Sequence, residues 1–599
     1  MAEYHNPQQD PDSQKRLVVV FVLIFIGIGV MQYLLPKQPQ KQSAPAPQPT
    51  QQVAQTSAPA DRDRAGAAAA ASVSGSPSAS VGSVPVKKAA ATSETTIESG
   101  LYRITFTNEG GRVKSWVLKQ GKDNRYLHYS EVDLVNPAAV AETGYPLSFF
   151  AYDKDLEKKL NSALYVASAT GLHKQPAFPF SLTFEYSDSD LQATKKFTFD
   201  ESYVISVDTE VTYKGQKVQA YPQWPSGFGD ANSPSAYTAE KILWQRNSDI
   251  QRKAAQSGWF LTGKKSISDG ETVNGPFQWV AASDQYFAAA FMPVSPQDTV
   301  AVTLHHQIEI PKDSAKPNED KTKVSVLGVA AGSSRGSTHE RLFAGPKAVG
   351  LLESIPAQPG GPDLRGMLDF GMFGFIARPL FAWLTWTHDH WVSNWGWSIA
   401  ILTLIINGVL LPLRISSMKS ALKMSKIQPQ MKAIQEKYKK YSMTDPRRAD
   451  MQKEMSELYK REGVNPLGGC FPMLLQMPFL FAFYSMLSNA YEMRLEHWLW
   501  IGDLSSPDPW HLLPIFVVVS MFFTQQNAPS SGMDPAQQKM MKFMMPLMIG
   551  GMTWYLPAGL GIYWAISNLV AWVQQIFINR SAFGQQVRKS MERRASRKK

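Results

Sequence analysis

The residues best placed to act on a partner are polar side chains set inside the most apolar stretches of the chain. Thr403 and Asn407 are four apart, hence on one helix face, and Arg414 follows seven residues on, about two turns or roughly 10 Å along the axis. Gln476 lies in a second apolar run, and Gln525 and Gln526 close a third. A last run carries two i, i+4 pairs, Tyr563 with Ser567 and Trp564 with Asn568. Ser and Thr in apolar helices usually serve helix packing, so the repetition over several runs, more than any one residue, predicts a shared hydrophilic groove. Its chemistry would be recognition of polar groups within a low-dielectric surround, and no catalytic residue is assigned.

Three local motifs fail on inspection. Gly258 to Lys264 spells G-x-x-x-x-G-K, but Lys265 replaces the magnesium-binding Ser or Thr and Trp259, Phe260 and Leu261 crowd the loop. Ser416 to Lys419 gives S-x-x-K without the S-D-N or K-T-G that would complete a β-lactamase-type site. His388, Asp389 and His390 lie too close in sequence for the two histidines to share a helix face, so no metal site and no cofactor are expected.

The elements that must position the polar stripes divide the chain sharply. Averages conceal this: 599 residues with 44% hydrophobic content and a mean hydropathy of -0.23 suggest soluble domains. Apolar residues are instead concentrated between positions 17 and 35 and in several runs between 395 and 578. The net charge of +11 is borne largely by segments bordering those runs, where it orients membrane spans and need not signal nucleic acid. The single cysteine, Cys470, excludes an intrachain disulfide.

Lys15 and Arg16 precede the uncharged residues 17–35, which read as a retained anchor after a cytoplasmic N-terminus at 1–16, since a cleaved signal has a shorter apolar core and an adjacent small-residue site. Residues 36–96, rich in Pro, Gln, Ala and Ser, read as a disordered tether. Between 97 and 360 apolar and polar residues alternate, as at Tyr102, Ile104 and Phe106, at Phe180, Leu182 and Phe184, and at Ile205, Val207, Thr209 and Val211. With turns at Gly110-Gly111 and Lys214-Gly215, this predicts an antiparallel all-β sandwich. Residues 361–394 contain an aromatic amphipathic helix suited to a membrane interface, with Phe373, Ile376, Leu380, Phe381 and Leu384 at helical spacing among Trp383, Trp386 and Trp391.

Five further spans are predicted, at 395–413, 467–487, 512–524, 543–556 and 561–578, making a polytopic α-helical protein of six transmembrane helices. Counting from Lys15 and Arg16 inside, both termini and residues 414–462 are cytoplasmic. Charge agrees: that segment holds about a dozen Lys and Arg, whereas the loop from Ser488 to Trp510 has Arg494 against Glu492, Glu496, Asp503 and Asp508. Within the segment, 416–462 reads as a helical hairpin, one arm carrying Met424, Ile427, Met431, Ile434 and Tyr438, the other Met451, Met455 and Leu458. Asp445-Pro446 is expected to cap the second arm, and Pro429 to kink the first. The tail 581–599, with Arg580, Arg588, Lys589, Arg593, Arg594, Arg597, Lys598 and Lys599 in or beside it, would meet anionic lipid or ribosomal RNA.

Several segments carry a family resemblance. Asn465-Pro466-Leu467-Gly468-Gly469-Cys470-Phe471-Pro472 continues to Gln476-Met477-Pro478; Asp534-Pro535 precedes Gln537-Gln538-Lys539, and Ser567-Asn568-Leu569 precedes Gln574-Gln575. Over nearly its whole length the sequence resembles the YidC family of membrane insertases, in the Gram-negative form. The resemblance implies a five-helix insertase core around a groove open to cytoplasm and lipid, and a periplasmic sandwich with the fold of sugar mutarotases. It implies that Thr403 and Trp564 face the passing substrate. It also places an arginine in the groove where this chain has Asn407, so the nearest cation on that face, Arg414, is expected to take over its electrostatic role. Implied partners are nascent membrane proteins, inner-membrane lipids and the Sec translocon.

The resemblance is consistent with a physical need. A charge at the bilayer centre costs roughly 2.5 to 3.5 kcal/mol on insertion scales, so a wet half-channel would ease a polar loop across while partitioning of the apolar span drives entry without ATP. Two other classes compete with this one. A secondary transporter predicts inverted repeats, which the unequal spans and long basic hairpin do not show. A carbohydrate-binding or processing role through the sandwich predicts convergent carboxylates or histidines there, which the sequence does not single out.

Overall fold

The computed structural model describes residues 85–119, 131–231, 234–255, 267–312, 320–357, 361–438, 441, 445–464, 471–527, 535–582 and 584–586. The anchor at 17–35, most of the tether, residues 465–470 and the tail beyond 586 therefore lie outside the described residues.

Alternation does build the sandwich. In Tyr102–Thr107, Tyr102, Ile104 and Phe106 point into the core, and Phe180–Ser187 and Val204–Tyr213 alternate likewise. The largest sheet runs in the order Asp249–Ala254, Lys241–Arg246, Trp279–Ser283, Phe287–Pro293, Ser337–Pro346, Val204–Tyr213, Leu191–Phe199, Phe180–Ser187, Val166–Ala167. Two five-stranded sheets complete the described strands. The turns fall where glycine permits them: Gly110 and Gly111 have φ of 70° and 53°, and Lys214 and Gly215 of 52° and 77°. Two expectations need correction. Glu94–Glu98 pairs in parallel with Gly171–Lys174, so the domain is not wholly antiparallel. The tether also ends earlier than 96, because Lys87 exchanges backbone hydrogen bonds with Ser187 and Ala89 donates to Leu164.

The helical half contains α1 (Gly374–His390), α2 (Trp395–Val409), α3 (Leu411–Tyr438), α4 (Arg448–Glu462), α5 (Phe471–Asn489), α6 (Leu512–Asn527), α7 (Pro535–Thr553) and α8 (Ala558–Arg580). Helix α1 is amphipathic as expected: Ala377, Leu380, Phe381 and Leu384 are buried while Phe375, Trp383 and Trp386 are exposed. Its two histidines are used in packing, His388 stacking on Trp395 at 4.1 Å and His390 on Trp386 at 5.2 Å. Among the described residues α8 alone is long and apolar enough to cross a bilayer by itself; α2 with α3 passes as one bent element, and α6 is apolar but shorter.

The expected span at 395–413 is broken. Helix α2 stops at Val409, and α3 restarts at Leu411 after a 54° bend. Gly408 weakens the helix there, and Pro412 suits a first turn while forbidding uninterrupted continuation. The first arm of the hairpin thus begins at Leu411, with no linking loop after α2. The predicted span at 543–556 falls mostly in the latter part of α7, which begins at Pro535 and ends at Thr553. In the hairpin, Met424, Ile427, Met431 and Leu458 form one buried cluster flanked by Ile434 and Met455, and Met451 is half-buried. Tyr438 is buried and donates to Glu454 at 2.8 Å. Most of these side chains are consumed by packing arm on arm. Pro429 lies within α3. The cap differs from the expected one: α4 begins at Arg448, and Asp445 instead accepts from the Arg447 amide at 2.9 Å.

Candidate functional site

Helices α2, α3, α5 and α8 bring most of the predicted stripe together. Thr403 is fully buried and returns its hydroxyl to the Ile399 carbonyl at 2.6 Å, the usual way a threonine is satisfied within a helix. Asn407 donates from Nδ2 to Thr403 O at 2.7 Å and to Ser567 Oγ of α8 at 3.3 Å, leaving Oδ1 buried without a partner among the described residues. One level toward the α3 end, Arg414 Nη2 donates to Gln476 Oε1 at 2.8 Å, and Gln476 Nε2 donates to the Tyr563 hydroxyl at 2.5 Å. Tyr563 is held in turn by stacking on Phe483 of α5 at 4.1 Å.

These bonds make two polar bridges across an apolar bundle, one from α2 to α8 and one from α3 through α5 to α8. Each has a loose end. Among the described residues Asn407 Oδ1 is an unfilled acceptor, and Arg414 Nη1 is a buried, unfilled cationic donor. Unpaired polar groups in a low-dielectric surround are costly, which makes both atoms natural contacts for a polar group entering the bundle.

The remaining predicted residues are not brought to this place. Trp564 and Asn568 lie on a different face of α8, shared with Trp572, which meets Phe523 of α6 at 6.2 Å. Trp564 is buried there, and Asn568 Nδ2 and Trp572 Nε1 are further unpartnered donors. Gln525 is half-buried near the end of α6. Ser485 and Ser488 of α5, whose buried hydroxyls also lack partners, were missed. Their sequence context, two serines among bulky apolar residues, resembles ordinary packing and gives little signal. Arg580 ends α8, and the seven cations after it lie outside the described residues.

The fold and the buried stripe define a helical membrane protein that carries a large sandwich domain. Residues 94–383 match the family model described as the YidC periplasmic domain, and residues 386–585 the one described as 60Kd inner membrane protein. The membrane protein insertase YidC of Endomicrobium trichonymphae is 31% identical over 502 residues, 80% of this chain and 84% of that one. That of Burkholderia multivorans is 31% identical over 536 residues, 85% and 89% of the two chains. A crystal structure of active YidC insertase covers 83% of this chain and 95% of its own at 18% identity, with a TM-score of 0.34. The chain belongs to the YidC family of membrane protein insertases. It is an inner-membrane protein with a periplasmic domain, and its relatives favour neither the transporter nor the carbohydrate-processing reading.

Proposed function

We propose that the chain admits the polar end of a client segment from the cytoplasm to the buried stripe, while the apolar part of that segment partitions into lipid beside α6 and α8. The observation that carries this is Arg414 Nη1, a positive donor left unfilled within the bundle and held in place by the Gln476–Tyr563 bridge. Asn407, Ser567 and Thr403 continue the polar path deeper along α2, and Trp564 and Asn568 offer a second polar edge toward α6. No nucleotide chemistry is invoked, because partitioning of the apolar segment supplies the driving force.

The same reading assigns residues 17–35 to an anchor, gives the chain six spans and places both termini in the cytoplasm. The exposed apolar row of α6, with Ile515, Phe516, Val519 and Phe523, supports a lipid-facing position for that helix. Nascent membrane proteins and inner-membrane lipids are the partners; contacts with the Sec translocon and of the basic tail with the ribosome extend the same proposal. Reconstitution in liposomes with a short client span tests it. Protease protection of the client should rise well above that of empty vesicles without ATP; equality with empty vesicles, or an absolute need for ATP, sinks the mechanism.

A further inference from the structure

The loop between α5 and α6 is built as a rigid element in its own right. Asp503 accepts from the Leu495 amide at 2.9 Å and from the Ser505 amide at 2.8 Å, and from the Ser505 and Ser506 hydroxyls at 2.7 Å. Asp508 receives Trp500 Nε1 at 2.9 Å and the Leu513 amide at 2.7 Å, which ties the loop to the start of α6. Leu495, Leu499 and His511 hold φ of 59°, 52° and 56°, conformations that L residues keep only where the surroundings over-determine them.

This loop touches both halves of the molecule. On the helical side Asn394 at the start of α2 donates to His497 O at 2.9 Å, and the Ala558 and Gly559 amides at the start of α8 donate to Ser506 O at 2.8 Å and Leu504 O at 3.0 Å. Trp498 lies over Gly396 so closely that a Cβ there would stand 2.2 Å from the indole. On the sandwich side Gln285 Nε2 donates to Ser488 O at 2.6 Å, and the Val349 amide donates to Glu492 Oε1 at 2.8 Å. Tyr491 packs edge-on against Tyr286 and Phe287 at 6.4 and 5.8 Å.

One ion pair crosses between the two surfaces. The sandwich presents Asp230, Asp284 and Glu240 around this junction, with Lys347 donating to the Asp284 carbonyl at 2.6 Å. Burial and the neighbouring Asp230 carboxylate push Asp284 well above the usual carboxylate range, and burial does the same to Glu240. The loop supplies Arg494, whose guanidinium stands 3.7 Å from Asp230 and 5.3 Å from the ring centres of Tyr286 and Phe287. A cation that leaves the loop to sit over two sandwich aromatics and against a sandwich acid joins the two parts wherever both are folded.

We infer that the 488–508 loop is the coupling element through which the sandwich holds the ends of α2, α6 and α8 together, and that Arg494 is its clamp. The sandwich then contributes to the core by bracing the periplasmic ends of its helices, leaving client contact to the stripe. This rests on the insertase reading for its functional arm alone, since the clamp itself is measured without a client.

The experiment uses the full chain in nanodiscs, comparing hydrogen exchange with insertion. Arg494→Met should raise exchange of the 488–508 amides about tenfold while the strand Lys321–Ser333 stays protected, and should cut insertion about threefold; Arg494→Lys should recover part of both. Gln285→Ala, which removes one tie without stranding a charge, should give the same pattern more weakly and serves if Arg494→Met does not accumulate. Faster loop exchange with full insertion would overturn the coupling, and unchanged exchange would overturn the clamp. Absence of insertion by the unaltered chain would count against the insertase reading, leaving exchange to judge the clamp.

Discussion

Two basic side chains, one buried in the sandwich and one half-buried in the helical core, are treated differently by their surroundings. Lys195 in the sandwich is fully buried and donates to Gly110 O at 2.8 Å, Gly111 O at 3.3 Å and Leu147 O at 2.6 Å, with its Nζ 4.0 Å from the centre of the Phe149 ring. Three acceptors saturate its donors, and burial holds its ammonium well below the usual lysine value. Arg414 in the helical core has Gln476 as an acceptor and a second guanidinium nitrogen left over. The saturated group fixes a fold; the unsaturated one keeps something to offer a visitor.

The contrast breaks if substitution at the two sites has the same consequence. Lys195→Met strands three buried carbonyls at once and should destabilise the sandwich by about 5 kcal/mol, read by thermal unfolding of the full chain, with normal insertion at temperatures where the domain stays folded. A smaller effect is expected from Glu340, buried with both carboxyl oxygens unpartnered among the described residues and pushed by burial to about 8. A carboxyl raised in the folded state stabilises below its unfolded value and loses that contribution as pH rises through the folded one. Sandwich stability should therefore fall by about 4 kcal/mol between about pH 5 and pH 9, and Glu340→Gln should flatten the profile. A profile unaltered by Glu340→Gln would mean that the carboxyl finds a partner after all.

The core side is sharpened by client chemistry. Arg414→Ala should reduce insertion of a client with an acidic N-terminal tail about tenfold, and of a neutral-tailed client far less, with Asn407→Arg restoring the difference; tenfold corresponds to about 1.4 kcal/mol. Equal losses for both clients would return Arg414 to the role of a topology anchor. The smallest expected effect is that of Ser567→Ala, which removes the 3.3 Å contact from Asn407 and should slow insertion about twofold with no change in membrane abundance. A large fall in abundance would show that the α2 to α8 bridge is structural.

Much of this contrast was legible in the residues themselves. Alternation at Tyr102, Ile104 and Phe106 located strands, because a strand's period of two is imposed locally. Spacing also put Thr403 and Asn407 on one helix face with Arg414 about two turns further on, and paired Tyr563 with Ser567, without showing that the two faces meet. It failed to separate Tyr563 from Trp564, because neighbouring helical positions differ by about 100° and the partner of each face lies on another helix. The break after Val409 had a readable signal in Gly408 and Pro412, outweighed by an unbroken apolar pattern. The junction at Arg494 had none: Asp230 and Tyr286 are hundreds of positions away, and only the folded chain brings them to the loop.

The bend at Leu410 has a mechanical consequence. Helix α3 is continuous for 28 residues, about 40 Å at 1.5 Å per residue, and the bend joins it to α2 without any slack. The hairpin is thus a lever with its fulcrum at Leu410. A rotation of about 10° at that fulcrum would sweep the far tip through about 7 Å, whereas Arg414, one turn from the pivot, would move about 1 Å. A large object leaning on the hairpin tip would therefore be geared down to a fine adjustment of the guanidinium, and a displacement of Arg414 would be amplified into a wide swing of the tip.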